Sequence, residues 1–302
     1  TSLAVDQQLP YGVMATVEGQ YSNTLRNIKV TNLNLRPANE TLNGPDNRPI
    51  WAPSEYGSGE SQFTQSGSSK IDSRYSNIHR VGNTSKGYSY DVTTELQKTF
   101  EISDGSAVQT RTSYTYGDSY SVNDGLSSQI NSVWAGVEHV NGANNIGLAR
   151  SDFSIGHRVL AQVGYEQEIG DNVVSEISLI YDGQSGRPFS YVIGGSTDMV
   201  RERGEDNSLV YVPSDASNLT FTSASVDGVT VTPEQQAEAF DKFVSNNDYL
   251  SERRGQYAER NADRTPWEGV IDLNARVEIF HEYFGRQQSL ELTANVFNFS
   301  SL

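Results

Sequence analysis

The sequence predicts an all-β fold: part of an antiparallel transmembrane β-barrel wall, about eight long strands, with long extracellular loops and one short helix in the largest loop. Three observations carry this expectation. Apolar and ionic residues alternate with a period of two over long stretches. Short and very long connections take turns between those stretches. Tyrosine is the favoured large side chain, with 16 copies against two methionines.

The alternation is clearest in "ARSDFSIGHRVLAQVGYEQEIG", where Phe153, Ile155, Val159, Ala161, Val163, Tyr165 and Ile169 fall on odd positions. Arg150, Asp152, Arg158, Gln162, Glu166 and Glu168 take the even ones. Successive strand side chains point to opposite faces, so one face is apolar and the other ionic. "KGYSYDVTTELQKTFEI" repeats the pattern with Tyr88, Tyr90, Val92, Leu96, Phe100 and Ile102. "PWEGVIDLNARVEIFHEY" repeats it with Ile271, Leu273, Ala275, Val277 and Ile279, flanked by Trp267 and Tyr283. Such strands run roughly 15 to 20 residues, whereas globular strands average about 5 or 6. Tyr88, Tyr90, Trp267 and Tyr283 are the candidate membrane-interface aromatics, because aromatic girdles flank the apolar band of outer-membrane barrels.

Strands are expected near 11–21, 25–36, 84–101, 106–121, 149–169, 173–193, 266–283 and 286–300. "SNT", "SDGSA", "GDN" and "FGRQ" read as tight turns, and the long loops as about 37–83, 122–148 and 194–265. Outer-membrane barrels have this asymmetry, with short periplasmic turns and long outer loops. A soluble sandwich, propeller or adhesin module has no reason to place every long loop at one end.

Composition limits the functional classes. The net charge of -16 leaves no positive face for a nucleic-acid backbone. There is no cysteine, hence neither a disulfide framework nor thiolate chemistry. His79, His139, His157 and His281 lack metal-ligand spacing, and "GQSGRPF" lacks the Gly-Lys-Ser/Thr ending of a phosphate loop, so its glycines read as a bend or bulge. His157 falls on the apolar face of its strand. No catalytic grouping, metal site or cofactor site is expected, and the protein is not expected to be an enzyme. Residue 1 is Thr and no signal peptide is recognisable, so the chain is expected to be a mature, trimmed or internal piece.

Within the third loop, "TPEQQAEAFDKFVSNN" predicts a helix with Thr232 as N-cap, Pro233 at the first position and Gln235 completing a capping box. Asp227-Gly228 predicts a hairpin turn. Arg253, Arg254, Arg260 and Arg264 then follow among Glu252, Glu259 and Asp263, ahead of Trp267. With Arg187 and Tyr257 they are the candidate loop-to-lumen anchors, or the lining of a substrate path. Arginine suits an anchor because its planar fork binds carboxylates at two points, so acidic wall residues are the expected partners.

"NTSKGYSYDVTTELQKTF", "SLIYDGQSGRPFSYVIGG", "NSLVYVPSD", "NDYLSERRGQYAERNADRTPWEGVIDLNARVEIF" and "LELTANVFNFSSL" resemble successive blocks of the Oar-like TonB-dependent outer-membrane transporters. The resemblance runs from about residue 10 to the end and rests most on the GQSGRPFSY and ERRGQYAERN...TPW blocks. It implies that residues 1–302 are a C-terminal-half segment of a barrel of about 22 strands, with the plug and TonB box outside this chain. It also implies residence in the outer membrane of a Gram-negative bacterium, in contact with its lipid. Uptake of an unidentified substrate would be driven by the TonB–ExbB–ExbD complex acting through the plug. The alternative is an adhesion or structural barrel whose surface loops contact a ligand without active transport.

Overall fold

The computed structural model describes residues 1–51, 69–194, 200, 202, 207–283 and 286–301. Among them, eight strands form one antiparallel sheet in which each pairs with its neighbours in chain order. They are β1 (Ser2–Gln8), β2 (Met14–Asn23), β3 (Gly87–Ser103), β4 (Ser106–Ser121), β5 (Gly156–Ile169), β6 (Val173–Gln184), β7 (Glu268–Tyr283) and β8 (Arg286–Val296). A two-residue strand, Ala149–Arg150, adds to the end of β4.

Pairing brings the expected faces into register. One row crosses the sheet as Phe100, Val108, Tyr165, Ile177, Ala275 and Ala294; the next as Thr110, Val163, Leu179, Leu273 and Val296. The opposite face is ionic. Arg111 meets Glu95 at 2.9 Å, Arg158 meets Asp182 at 2.6 Å, and Arg276 lies 3.2 Å from Glu291 and 3.4 Å from Glu176.

Connection lengths alternate as expected, with corrected bounds. Residues 9–13, 104–105 and 170–172 turn at one end of the sheet, and long segments 24–86, 122–155 and 185–267 leave from the other. The "FGRQ" turn falls partly on residues 284–285, outside the described residues. The strand expected at 25–36 does not join the sheet. Asn27–Asn32 pairs with His79–Thr84 inside the first long segment, and "SNT" is not a turn between wall strands. Its alternating pattern is genuine, but Val30 buries its side chain against Trp134 rather than facing outward. Instead β2 pairs directly with β3, and Ser2–Gln8 adds at the edge of the sheet beyond β2, joined to it through Tyr11 and Gly12 at φ 64° and 75°. The strands expected at 149–169 and 173–193 are shorter, because residues 151–155 and 185–187 break them.

Among the described residues the long segments carry three α-helices where one helix was expected: α1 (Ile130–Ala135), α2 (Pro233–Ser245) and α3 (Asp248–Ser251). The expected helix is α2, and its capping box is formed: Thr232 Oγ1 accepts the Gln235 N–H at 3.3 Å, and Gln235 Oε1 accepts that of Thr232 at 2.9 Å. Ala224–Val226 and Val229–Val231 form the expected hairpin around Asp227 and Gly228.

Burial is distributed in reverse of a soluble sandwich. Among the described residues most of the buried apolar side chains form three clusters, all in the long segments. Trp51, Ile50, Leu42 and Val200 make one; Trp134, Ala135, Ala143 and Val30 another; Val212, Val244 and Leu250 the third. Among the described residues none of the buried apolar side chains belongs to the eight wall strands. On the wall, Leu3, Val17, Leu96, Val163, Leu179 and Leu292 are 46–74% exposed.

Candidate functional site

The three long segments fold together into a cap at one end of the sheet, and the cap is tied to the wall where β4 ends. Asp118, only 7% exposed, receives Arg150 Nε at 3.0 Å and the hydroxyl of Ser154. Arg150 Nη1 reaches the carbonyls of Asn261 and Ala262, each at 3.1 Å, and Asn261 Nδ2 returns a bond to the Arg150 carbonyl. Asn261 holds φ 55°, a left-handed conformation that asparagine tolerates better than most residues. Burial acts to lower the pKa of Arg150, but Asp118 and then Tyr120 together outweigh it and keep the guanidinium more firmly charged than usual.

The candidate anchors divide into separate roles. Arg260 is 5% exposed and donates to the carbonyls of Val122 at 2.9 Å and Ser121 at 2.5 Å. Arg264 donates to the carbonyls of Ser154 at 3.0 Å and Gly186 at 3.2 Å. Backbone carbonyls thus stand where the sequence reading expected acidic wall residues. Burial lowers the pKa of Arg260, against the pull of Asp124, Glu138 and Asp152; burial and the nearby Arg150 lower that of Arg264. Arg253 pairs with Glu259 at 2.6 Å and Arg254 with Asp241 at 2.8 Å, so both brace the third segment internally. Arg187 is exposed and contributes through its backbone, whose carbonyl accepts the Thr265 N–H at 3.0 Å. In the same motif, Gly186 packs so tightly that an added Cβ would strike the carbonyls of Thr265 and Pro266. Tyr257 bonds Asp46 at 3.1 Å beneath the guanidinium of Arg48; burial and Asp46 push its pKa up to about 12.

Of the candidate interface aromatics, Tyr88, Tyr90 and Trp267 lie at the cap end of the apolar face. Tyr88 stacks on Tyr120 at 4.9 Å and on Tyr21 at 6.5 Å, and Tyr90 lies 6.3 Å from Tyr116. Trp267 Nε1 donates to the Tyr181 hydroxyl at 3.0 Å, and Tyr114 bonds His157 at 2.7 Å. Tyr283 ends β7 at the opposite, turn end; its side chain lies outside the described residues.

Between the second and third segments lies a cavity of about 850 Å³, walled by Glu138, Asn141, Arg150, Tyr249, Tyr257 and Arg260 among others. Glu138 and Arg260 also border a smaller cavity of about 230 Å³ that holds Asp124 and Asp152. Asp124 accepts bonds from Ser121 Oγ at 2.5 Å, Ser151 Oγ at 2.8 Å and the Asp152 N–H at 2.9 Å. Burial raises its pKa, but those donors outweigh it and leave the carboxyl below its ordinary range. Asp152 moves the other way, to about 6, through burial and then the bond to, and charge of, Asp124.

Asp118, Arg150, Asp124, Asp152 and Glu138 were not singled out as site residues in the sequence. "YGDSYSVND" places acidic residues at the end of a strand, where the wall meets its loop, and that was the available signal. Among the described residues no group of three or more His, Cys, Asp or Glu has metal-site geometry. Comparison with protein-family models, with curated proteins and with solved structures gave no match in any of the three.

Proposed function

We propose that this chain is part of an outer-membrane β-barrel whose cap faces the outside, and that the barrel is a TonB-dependent transporter. The observation that carries the membrane reading is the reversed burial: an eight-strand sheet with an uncovered apolar face, beside a cap that owns the buried core. Water penalises such a face, whereas hydrocarbon accepts it, provided the backbone is paired as in a sheet. The tyrosine rows support a boundary at the cap end. Asp118 shares a face with Tyr90 and Tyr116, pairs across the strands with Tyr90 itself, and is already covered and paired with Arg150. In this reading the paired carboxylate sits within the aromatic rows at the cap end, and lipid begins below them.

Transport rests on the sequence blocks that resemble the Oar-like transporters. In that reading, plug and TonB box lie elsewhere in the protein and the TonB–ExbB–ExbD complex supplies the energy. The test is a deletion of the gene in its own host, grown across a panel of nutrients and assayed for surface attachment. A growth defect reproduced by inactivating TonB supports transport. Lost attachment with unchanged growth replaces it with an adhesion barrel.

A further inference from the structure

We propose that the cavity between the second and third segments binds a neutral, hydroxyl-rich ligand, a short oligosaccharide; its role as a surface receptor site rests on the outward-facing cap proposed above. At about 850 Å³ the cavity is in the range of small-molecule sites. Its charge is balanced, with Arg150 and Arg260 facing Glu138 and Glu259. Most of that charge is already committed. Arg150 is held by Asp118 and two carbonyls and Glu259 by Arg253, while Arg260 donates to two carbonyls and has Asp124, Glu138 and Asp152 near it to offset its charge. An anion therefore meets cations whose charge is already offset, Arg150 by Asp118 and Arg260 by three nearby carboxylates, and Asp124 and Asp152 behind Arg260 repel it. The carboxylate terminus of a short peptide meets the same obstacle. Glu138 has no ion pair among the described residues, but Arg260 lies near enough to offset its charge, which leaves a cationic ligand little to gain.

What the walls offer is suited to hydroxyls. The Glu138 carboxylate accepts, while Asn141 and Gln256 each present a donor and an acceptor. Ile146, Leu148 and the ring of Tyr120 supply carbon surface for the C–H faces of a sugar.

The test uses the purified full-length protein in detergent, applied to arrays of neutral glycans, sialylated and sulfated glycans, and short peptides. Binding confined to neutral glycans is expected, weakened about tenfold in Glu138→Ala through loss of one charge-assisted hydrogen bond. Gly147→Trp is expected to abolish it. Gly147 lines the cavity, has an ordinary φ, and a Cβ there meets nothing within 4 Å, so the backbone at this position accepts a side chain. Binding only to acidic glycans or peptides, binding to nothing, or binding unchanged in Gly147→Trp overturns the proposal. Fractionation of the same protein keeps the two readings apart. Outer-membrane residence without neutral-glycan binding removes the ligand alone, whereas neutral-glycan binding by a protein absent from that membrane removes the barrel reading alone.

Discussion

Arg150 grips Asp118 with Nε 3.0 Å from Oδ2 and turns Nη1 to the carbonyls of Asn261 and Ala262. One side chain thereby joins the end of β4, the second segment and the third. Asp118→Ala leaves this guanidinium beside two carbonyls with no counter-charge, and a hydrogen bond to a charged group contributes about 1.5–3 kcal/mol. The cap should lose about 2 kcal/mol, read as faster limited proteolysis near residues 255–262. Cleavage at the wild-type rate would remove Asp118 as the point of attachment.

Trp134 is fully buried and its Nε1 donates to Asn144 Oδ1 at 2.9 Å, while the Asn144 side chain also bonds both backbone groups of Asn32. Trp134→Ala empties the centre of one cap cluster, at a cost of about 3–5 kcal/mol. Hydrogen exchange should accelerate in residues 27–32 and 130–145 and stay unchanged in β5 and β6. Equal acceleration in both would show that cap and wall unfold as one unit.

Leu179 sits in a middle row of the apolar face and is 46% exposed. If that face meets hydrocarbon, Leu179→Arg costs about 2–4 kcal/mol. If it meets water, the change is close to neutral, within about 0.5 kcal/mol. Gln109→Arg, on the ionic face, is the control. Unfolding titrations in lipid vesicles decide the matter, and equal midpoints for the two variants would end the lipid-facing reading.

Asp152 gives the cap a pH dependence of definite sign. The fold raises this carboxyl from an ordinary 3.8 to about 6, so the folded cap prefers it protonated. Its contribution is complete below the ordinary value and is lost as pH rises through about 6. Asp124, lowered from 3.8, acts in the opposite sense at more acidic pH. Around Asp152 stand Asp124, Glu138, Arg260 and Asn261. Proteolysis of the cap should therefore accelerate as pH rises from about 3.8 to about 6, the span between the ordinary and the shifted titration. Asp152→Asn should remove that dependence, and a variant with the wild-type profile would assign the effect elsewhere.

Strand length made the wall legible. β3 and β7 carry one alternation through 17 and 16 residues, and only their register had to be found. Asn27–Asn32 misled because alternation reports that a strand has two unlike faces, not which partner covers one of them. Residues 2–8 were overlooked for the complementary reason, being too short to stand out. The capping box of α2 was readable because all its partners lie within four positions. The site was not, since Arg260 bonds carbonyls 138 and 139 positions away and carbonyls have no sequence signature. Arg150 and Asp118 are separated by 32 positions, and nothing local links them.

The cap is assembled from stretches far apart along the chain, and that imposes an order of events. Each wall hairpin pairs residues that are near neighbours in sequence. Arg48, in contrast, waits for the carbonyl of Leu209, 161 positions later, and Arg260 must arrive before Ser121 and Val122 are satisfied. Contacts between such distant residues form slowly, because a long loop must close before they repay its entropy. We therefore expect newly made chains to pass through a period of paired strands and an unfinished exterior, visible as late protection of Trp134 in pulse-labelled hydrogen exchange. Protection of Trp134 as early as β5 would contradict that order. During the interval the apolar side chains that later fill the cap are open to water, and a chaperone would have its opportunity there, on the connections rather than on the strands.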